Sequence, residues 1–219
     1  MVYATLAEEK KLWKKGYQYV AGLDEAGRGP LAGPVVAGAV VIKNCKFKIK
    51  NLKLRDSKQL SAKQREYFYE ILTSHKEVRW GIGIVSEKVI DKINILQATK
   101  LAMEKAVINL DKKIKKQRIQ KTSDRGNFVS IEFLILDGNF KINFSIPQKS
   151  IVKGDEKVFS CAAASILAKV TRDRLMMRYH KKYPRYHFDL HKGYGTRLHL
   201  KRLKRFGRCA IHRNSFNVQ

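Results

Sequence analysis

Asp24-Glu25-Ala26-Gly27-Arg28-Gly29-Pro30-Leu31-Ala32-Gly33-Pro34 follows directly on the largely apolar run Tyr17-Gln18-Tyr19-Val20-Ala21-Gly22-Leu23. A β-prone segment that runs into two adjacent acids and then into Gly-x-Gly-Pro reads as a strand delivering charge to the edge of a sheet. Strand ends are where α/β enzymes place their sites. The valine-rich run Val35 to Ile42 is a second strand, and the Gly/Pro-rich connection predicts an antiparallel pair.

Outward from this pair, the chain alternates further strands with helices. Trp80 to Val85 reads as a third strand. Ile131 to Leu136 is another, ending in Asp137-Gly138, and Ser150 to Val152 is a short one before Lys153-Gly154-Asp155. Helical spacing covers Lys58 to Ser74, where Ser61 and Gln64 form a capping box, and Ile95 to Leu110. Val158 to Tyr179 carries an apolar stripe of Phe159, Ala162, Ala163, Ile166, Leu167 and Val170, and a last helix runs from Arg197 to Phe206. Met1 to Gly16 reads as an amphipathic helix. Strands mixed with helices in this order predict a layered α/β domain. At 219 residues and 44% hydrophobic content, a single domain over 1–219 is expected.

The formal charge is +27, from 46 Lys and Arg against 19 Asp and Glu. So one-sided a charge points to a polyanionic partner, nucleic acid before an anionic membrane. The basic residues are grouped: Lys112, Lys113, Lys115, Lys116, Arg118 and Lys121 form one block, expected to be an exposed extension or connection. From Lys169 to Arg213, fifteen Lys or Arg face only Asp173 and Asp189. Such segments neutralise phosphates strongly and salt-dependently, without reading sequence. No apolar run reaches the ~18 to 20 residues of a membrane span. The N-terminus lacks the apolar core of a signal peptide, so a cytoplasmic protein with free thiols at Cys45, Cys161 and Cys209 is expected.

In so basic a chain, clustered acids need a reason. Asp24, Glu25, Asp137 and Asp155 each end a strand-like run or precede a helix, so all four can converge at one sheet edge. Singly each has an ordinary reading. Asp137-Gly138 is a common turn pair, and Asp155 can cap the following helix. Asp24 and Glu25 on an ideal strand point to opposite faces, so a shared site requires the strand to end or distort near Gly27 to Pro30. Together they repel one another, and divalent cations relieve that repulsion. Oxygen-only ligands select hard ions such as Mg²⁺ or Mn²⁺, two of which ~3.5 to 4 Å apart can drive phosphodiester hydrolysis.

Gly27-Arg28-Gly29 is either turn chemistry or a place where backbone amides approach a phosphate or sugar. Tyr194, between Gly193 and Gly195, is either a packed loop residue or a platform for a sugar or base. His187 and His191 have the i, i+4 spacing of a helical metal pair, but Pro184 and Gly193 flank them closely and no glutamate follows His187. Packing or phosphate contact is the expected role.

These motifs, in this order, resemble ribonuclease HII, the type 2 ribonuclease H family. The resemblance covers nearly the whole chain. It includes Asp56-Ser57-Lys58, Asn94-Ile95 with Ala98-Thr99, and Ala162 to Asp173. It continues through His191-Lys192-Gly193-Tyr194-Gly195-Thr196 and His212-Arg213-Asn214-Ser215-Phe216. It implies a ribonuclease H-like fold: a mixed five-stranded sheet flanked by helices, with a helical, basic C-terminal part from about residue 172. It also implies Asp24, Glu25, Asp137 and Asp155 as metal-binding catalytic acids. Gly27, Arg28 and Gly29 would sense the ribonucleotide 2′-hydroxyl at an RNA–DNA junction, and Tyr194 would pack on the following deoxyribose. The implied substrates are RNA/DNA hybrids and ribonucleotide-containing duplex DNA, cut to 3′-hydroxyl and 5′-phosphate ends. The implied state is a monomer.

The sister family, ribonuclease HIII, carries an extra N-terminal domain and lacks the arginine between the glycines, whereas only 23 residues precede Asp24 here. Some relatives end in a clamp-binding peptide with paired aromatics. This sequence stops at Asn217-Val218-Gln219 without one, so a sliding-clamp partner is not expected by that route. The rival readings are a four-carboxylate exonuclease, which usually spaces its first acids as Asp-x-Glu, and a basic nucleic-acid-binding module, which accounts for the charge but not for the acids.

Overall fold

The computed structural model describes residues 3–42, 52, 54, 57–119 and 131–217. Cys45, Asp56 and Lys121 lie outside the described residues. Five strands form one mixed sheet in the order β3-β2-β1-β4-β5. β1 (Val20–Ala26) and β2 (Val35–Ile42) are antiparallel, and β3 (Val78–Val85) continues antiparallel on β2. β4 (Phe133–Asp137) and β5 (Gln148–Ile151) add in parallel on the other side of β1. The sequence spacing places each strand to within a few residues.

The register is what makes the site. Leu23 lies opposite Leu136 as the last pair of the parallel β1–β4 ladder, so Asp24 and Asp137, one residue on, stand side by side where that pairing stops. A crossover is needed to return a parallel strand; α3 (Glu87–Ile119) lies in the one that leads from β3 to β4, and helices cover both faces of the sheet. On one face α3 packs Ala98, Ala102, Met103, Ala106 and Leu110 against Ala21, Leu23, Ala37 and Ala39. On the other, the expected stripe of α5 (Phe159–Lys182), from Phe159 to Val170, packs with Val40, Ile42 and Leu72 of α2 (Ala62–Ser74).

α2 starts where the capping box predicts: the Ser61 hydroxyl accepts from the Gln64 N–H and the Gln64 side chain from the Ser61 N–H. α3 begins earlier than its spacing suggests. Its first turns, Glu87 to Ile93, end at Asn94, whose backbone is left-handed (φ 65°) and whose Oδ1 accepts from the Gln97 N–H. Asn94 therefore caps a second helix that begins at Ile95, as the apolar spacing indicates. Of the two alternatives for the basic block, Lys112 to Arg118 form an extension: they continue α3, where Leu110 and Ile114 carry the buried stripe onward.

α1 (Ala7–Lys14) has a purpose its composition did not disclose. Its buried Glu9 accepts from the Ser160 N–H at 2.8 Å, at the start of α5, whose own N-cap Val158 has no side chain able to cap. An acid on one helix thus serves the N-terminus of another. α4 (Gly154–Lys157) is one turn ahead of α5. Beyond α5 lie a 3₁₀ turn (Pro184–Tyr186), α6 (Phe188–His191) and α7 (Arg197–Phe206). They pack Tyr186, Phe188, Leu203 and Ile211 around Met176 and Ala32, which seats the C-terminal part directly on the loop after β1. Among the described residues, no helix is long and apolar enough to cross a membrane.

Candidate active site

Three of the four predicted acids converge. Asp24 at the end of β1, Asp137 at the end of β4 and Asp155 in α4 each present an oxygen, all within 4.8 Å of one another. The third strand of the construction is local: the Gly154 N–H donates to Asp137 Oδ1 at 2.7 Å, drawing α4 onto the end of β4. A Cβ on Gly154 would lie 3.2 Å from the Asp137 Cα, so a side chain there would push Asp155 away. Asp155 does not cap the following helix, since α4 and α5 have Lys153 and Val158 as N-caps.

Glu25 stands just outside this group of three. Charge still couples it to both neighbours, since Glu25 raises Asp24 and Asp137 raises Glu25. It is also tied in directly, for its backbone N–H donates to Asp24 Oδ1 at 2.6 Å. Its Oε1 lies 3.4 Å from the Arg28 guanidinium, and its buried Oε2 has no hydrogen-bond partner among the described residues.

The electrostatics are those of charges held together against their preference. Burial, then the charges of Glu25 and Asp137, raise Asp24 well above the usual aspartate range. Burial is also the largest cause at Glu25, raised to about 7 with help from Asp137 and against Arg28. Asp24 is further held by a hydrogen bond with Ser165, whose Oγ is 2.8 Å from that of buried Ser57. Both serines lie within the motifs that carry the family resemblance, but their spacing gives no sign that they meet. An oxygen-only, buried, mutually repelling donor set with an orphaned carboxylate oxygen beside it fits a hard divalent cation.

Gly27, Arg28 and Gly29 follow at once. Arg28 and Gly29 are exposed, Gly27 is buried, and the two glycines have different reasons. Gly27 has φ +100°, and a Cβ there would lie 2.2 Å from Arg172 Nε. Gly29 has no positive φ, and a Cβ would meet nothing within 4 Å. The fold needs the first glycine and not the second.

Tyr194 sits on the neighbouring loop, 43% exposed, where the Leu31 N–H donates to the Gly193 carbonyl at 2.8 Å. Behind it lies a buried row of histidines. The Cys209 N–H donates to His212 Nδ1, which leaves Nε2–H of His212 to donate to His199 Nε2 at 3.0 Å. His199 then donates through Nδ1 to the Tyr194 carbonyl at 2.9 Å. Every tautomer is set by its neighbour. Burial first, and neighbouring positive charge, lower both His199 and His212 to about 4. His191 stacks on His199 with ring centroids 4.3 Å apart and accepts from the Gly193 N–H, while His187 lies outside any helix with φ 58°. The i, i+4 pair is therefore packing, not a metal site.

Because His199 and His212 bind protons more weakly folded than unfolded, the stability they contribute is full above about pH 6.5 and is lost as pH drops toward 4. The difference in melting temperature between wild type and His212→Asn, followed over that range, should show this loss.

The family model of ribonuclease HII matches residues 21–219. The ribonuclease HII of Chlamydia trachomatis is 48% identical over 98% of this chain and 91% of its own length. That of Acetivibrio thermocellus is 50% identical over 95% of this chain and 73% of its own. Among solved structures, the ribonuclease H2 of Pyrococcus horikoshii superposes with a TM-score of 0.65 at 28% identity, covering 90% of this chain and 93% of the other.

Proposed function

The chain belongs to the ribonuclease HII family, endoribonucleases of RNA/DNA hybrids that use divalent metals, and on that premise we propose that it also cuts at single ribonucleotides embedded in duplex DNA. The observation that carries the chemical half is the convergence of Asp24 and Asp137, on two adjacent parallel strands, with Asp155 of α4. These three, with Glu25 beside them, would hold Mg²⁺ or Mn²⁺. Such ions supply Lewis-acid stabilisation of the phosphoryl oxygens and activation of the attacking water.

The protein's own part is positioning. The acids fix the point of attack. The exposed amides around Arg28 and Gly29 lie next to it, close enough to a strand to meet a 2′-hydroxyl, the group that distinguishes RNA from DNA. Tyr194, exposed on the adjoining loop, offers a ring to the sugar of the next nucleotide. Attack of water on phosphorus, with the P–O3′ bond breaking and the 3′-oxygen leaving, gives a 3′-hydroxyl and a 5′-phosphate. The remaining positive charge holds the duplex by its phosphates.

Two measurements test this. Mg²⁺ or Mn²⁺ binds only the folded cluster, so at ~100 times its Kd it should stabilise by about 2.7 kcal/mol. For a domain of this size that is a rise of ~5 to 10 °C in melting temperature. No shift would remove the metal site. Separately, Arg28→Ala and Tyr194→Ala should lower the preference for a single-ribonucleotide junction over a uniform hybrid by ~10-fold or more, with the metal-induced shift unchanged. Unchanged preference would take these two residues out of recognition.

A further inference from the structure

Arg172 and Arg213 are the largest fully buried side chains of the described protein. Neither is in an ion pair among the described residues. Each instead spends its guanidinium on three main-chain carbonyls. Arg213, on the C-terminal segment, donates from Nε to Gly33 O at 3.0 Å, from NH1 to Arg28 O at 2.9 Å and from NH2 to Gly27 O at 2.6 Å. Arg172, on α5, donates to Pro34 O at 2.9 Å, Ala32 O at 3.0 Å and Lys192 O at 3.0 Å. All six acceptors belong to the loop after β1 or to the loop that carries Tyr194.

The peptide bonds are trans, so each N–H points opposite to the preceding carbonyl. With the carbonyls of Gly27 and Arg28 turned inward onto Arg213, the N–H groups of Arg28 and Gly29 turn outward, and neither donates to the protein among the described residues. Arg172 sets the second loop against the first through Lys192, two residues before Tyr194. We infer that Arg172 and Arg213 are the positioning residues for junction recognition: a buried pair of cations that aims the Arg28 and Gly29 amides outward and fixes Tyr194 beside them. This rests on the junction reading above.

Two further observations support it. A neutral amide side chain would satisfy carbonyls with far less desolvation cost than a guanidinium. Cations there leave positive potential immediately below the outward amides, where a strand's phosphates would pass. Burial, and then the charge of Arg172, lower Arg213 to about 9, as expected of two cations held close beneath one loop; it remains charged at neutral pH. The pair is also built in from outside. The Arg213 N–H donates to Leu31 O at 2.9 Å, and Phe216 covers its guanidinium at 4.9 Å. Asp91 of α3 accepts from the Asn214 and Ser215 N–H groups, both at 2.9 Å, anchoring the segment.

The test compares wild type with Arg213→Lys on two substrates, a duplex DNA with one ribonucleotide and a uniform RNA/DNA hybrid. Lysine keeps the charge but cannot span three carbonyls. KM for the single-ribonucleotide substrate should rise ~10- to 100-fold, with kcat on the hybrid and the Mn²⁺-induced melting shift close to wild type. A junction preference equal to wild type in Arg213→Lys overturns the inference. So does a joint loss of hybrid cleavage and Mn²⁺ shift, which would make the arginine merely structural. Wild type provides a second arm that needs no variant to fold. Amide hydrogen exchange in the free protein should be fast at Arg28 and Gly29, and protection there overturns the inference. A wild-type enzyme that shows no junction cleavage at all instead refutes the reading it rests on.

Discussion

Asp24→Asn should abolish cleavage while making the metal-free protein more stable. Asp24 is 4% exposed, and burial together with the charges of Glu25 and Asp137 raises its pKa well above the usual aspartate range. Asparagine keeps an oxygen for Ser165 and removes the charge. A group whose pKa is raised in the folded state stabilises it below the unfolded value, near pH 4, and that stability is lost as pH rises. The stability gain of the variant, measured in EDTA, should therefore grow from acid toward neutral pH. Activity moves the other way. Loss of one carboxylate from the group that would hold the metal with Asp137 and Asp155 should reduce kcat by ~10³-fold or more, about 4 kcal/mol of barrier. Duplex binding should persist or tighten, since one negative charge is gone. Parallel gain of apo stability and retention of Mg²⁺-dependent cleavage would sever the acid from the chemistry.

The second large effect is a contrast between two glycines. Gly27→Ala places a methyl 2.2 Å from Arg172 Nε at a backbone φ of +100°. Either the loop shifts or Arg172 leaves its three carbonyls, and a buried guanidinium without partners costs about 3 kcal/mol or more. Gly29→Ala meets no neighbour and should change stability by less than ~0.5 kcal/mol. If the surface above Gly29 receives a nucleic-acid strand, that methyl should still cut activity on single-ribonucleotide duplex by ~10-fold or more, because close backbone approach is what the missing Cβ allows. Chemical denaturation and cleavage rates on both variants separate the two roles. A harmless Gly29→Ala would leave the second glycine without a purpose.

This contrast also marks how far the chain could be read unaided. Strand ends loaded with acids were legible because a local pattern, apolar run then carboxylate, repeats at Asp24 and Asp137, and parallel register does the rest. The capping box at Ser61 and Gln64 is equally local. What stayed hidden depends on long-range contact. Arg172 looks like one more charge in a basic stretch, yet it is fully buried, 138 residues from the Pro34 carbonyl it binds. Arg213 likewise reaches Gly27 across 186 residues. Glu9 reads as a surface acid on a lysine-rich helix and instead caps α5. His199 and His212 have no telling spacing and become a set of fixed tautomers only when folded together. The adjacency of Asp24 and Glu25 was the ambiguous case. Asp24 groups directly with Asp137 and Asp155, while Glu25 stands beside them and is coupled to them by charge.

If Asp24, Asp137 and Asp155 serve metal-dependent cleavage at a ribonucleotide, the metal decides whether the strand is cut. The most direct test incubates the protein with duplex DNA bearing one ribonucleotide, with Mg²⁺, with Mn²⁺ and with EDTA, and identifies the ends produced. A single nick at the ribonucleotide, only with metal, carrying a 3′-hydroxyl and a 5′-phosphate, is the predicted result. Cleavage in EDTA, a 2′,3′-cyclic phosphate end, or equal cutting of an all-RNA duplex would contradict it.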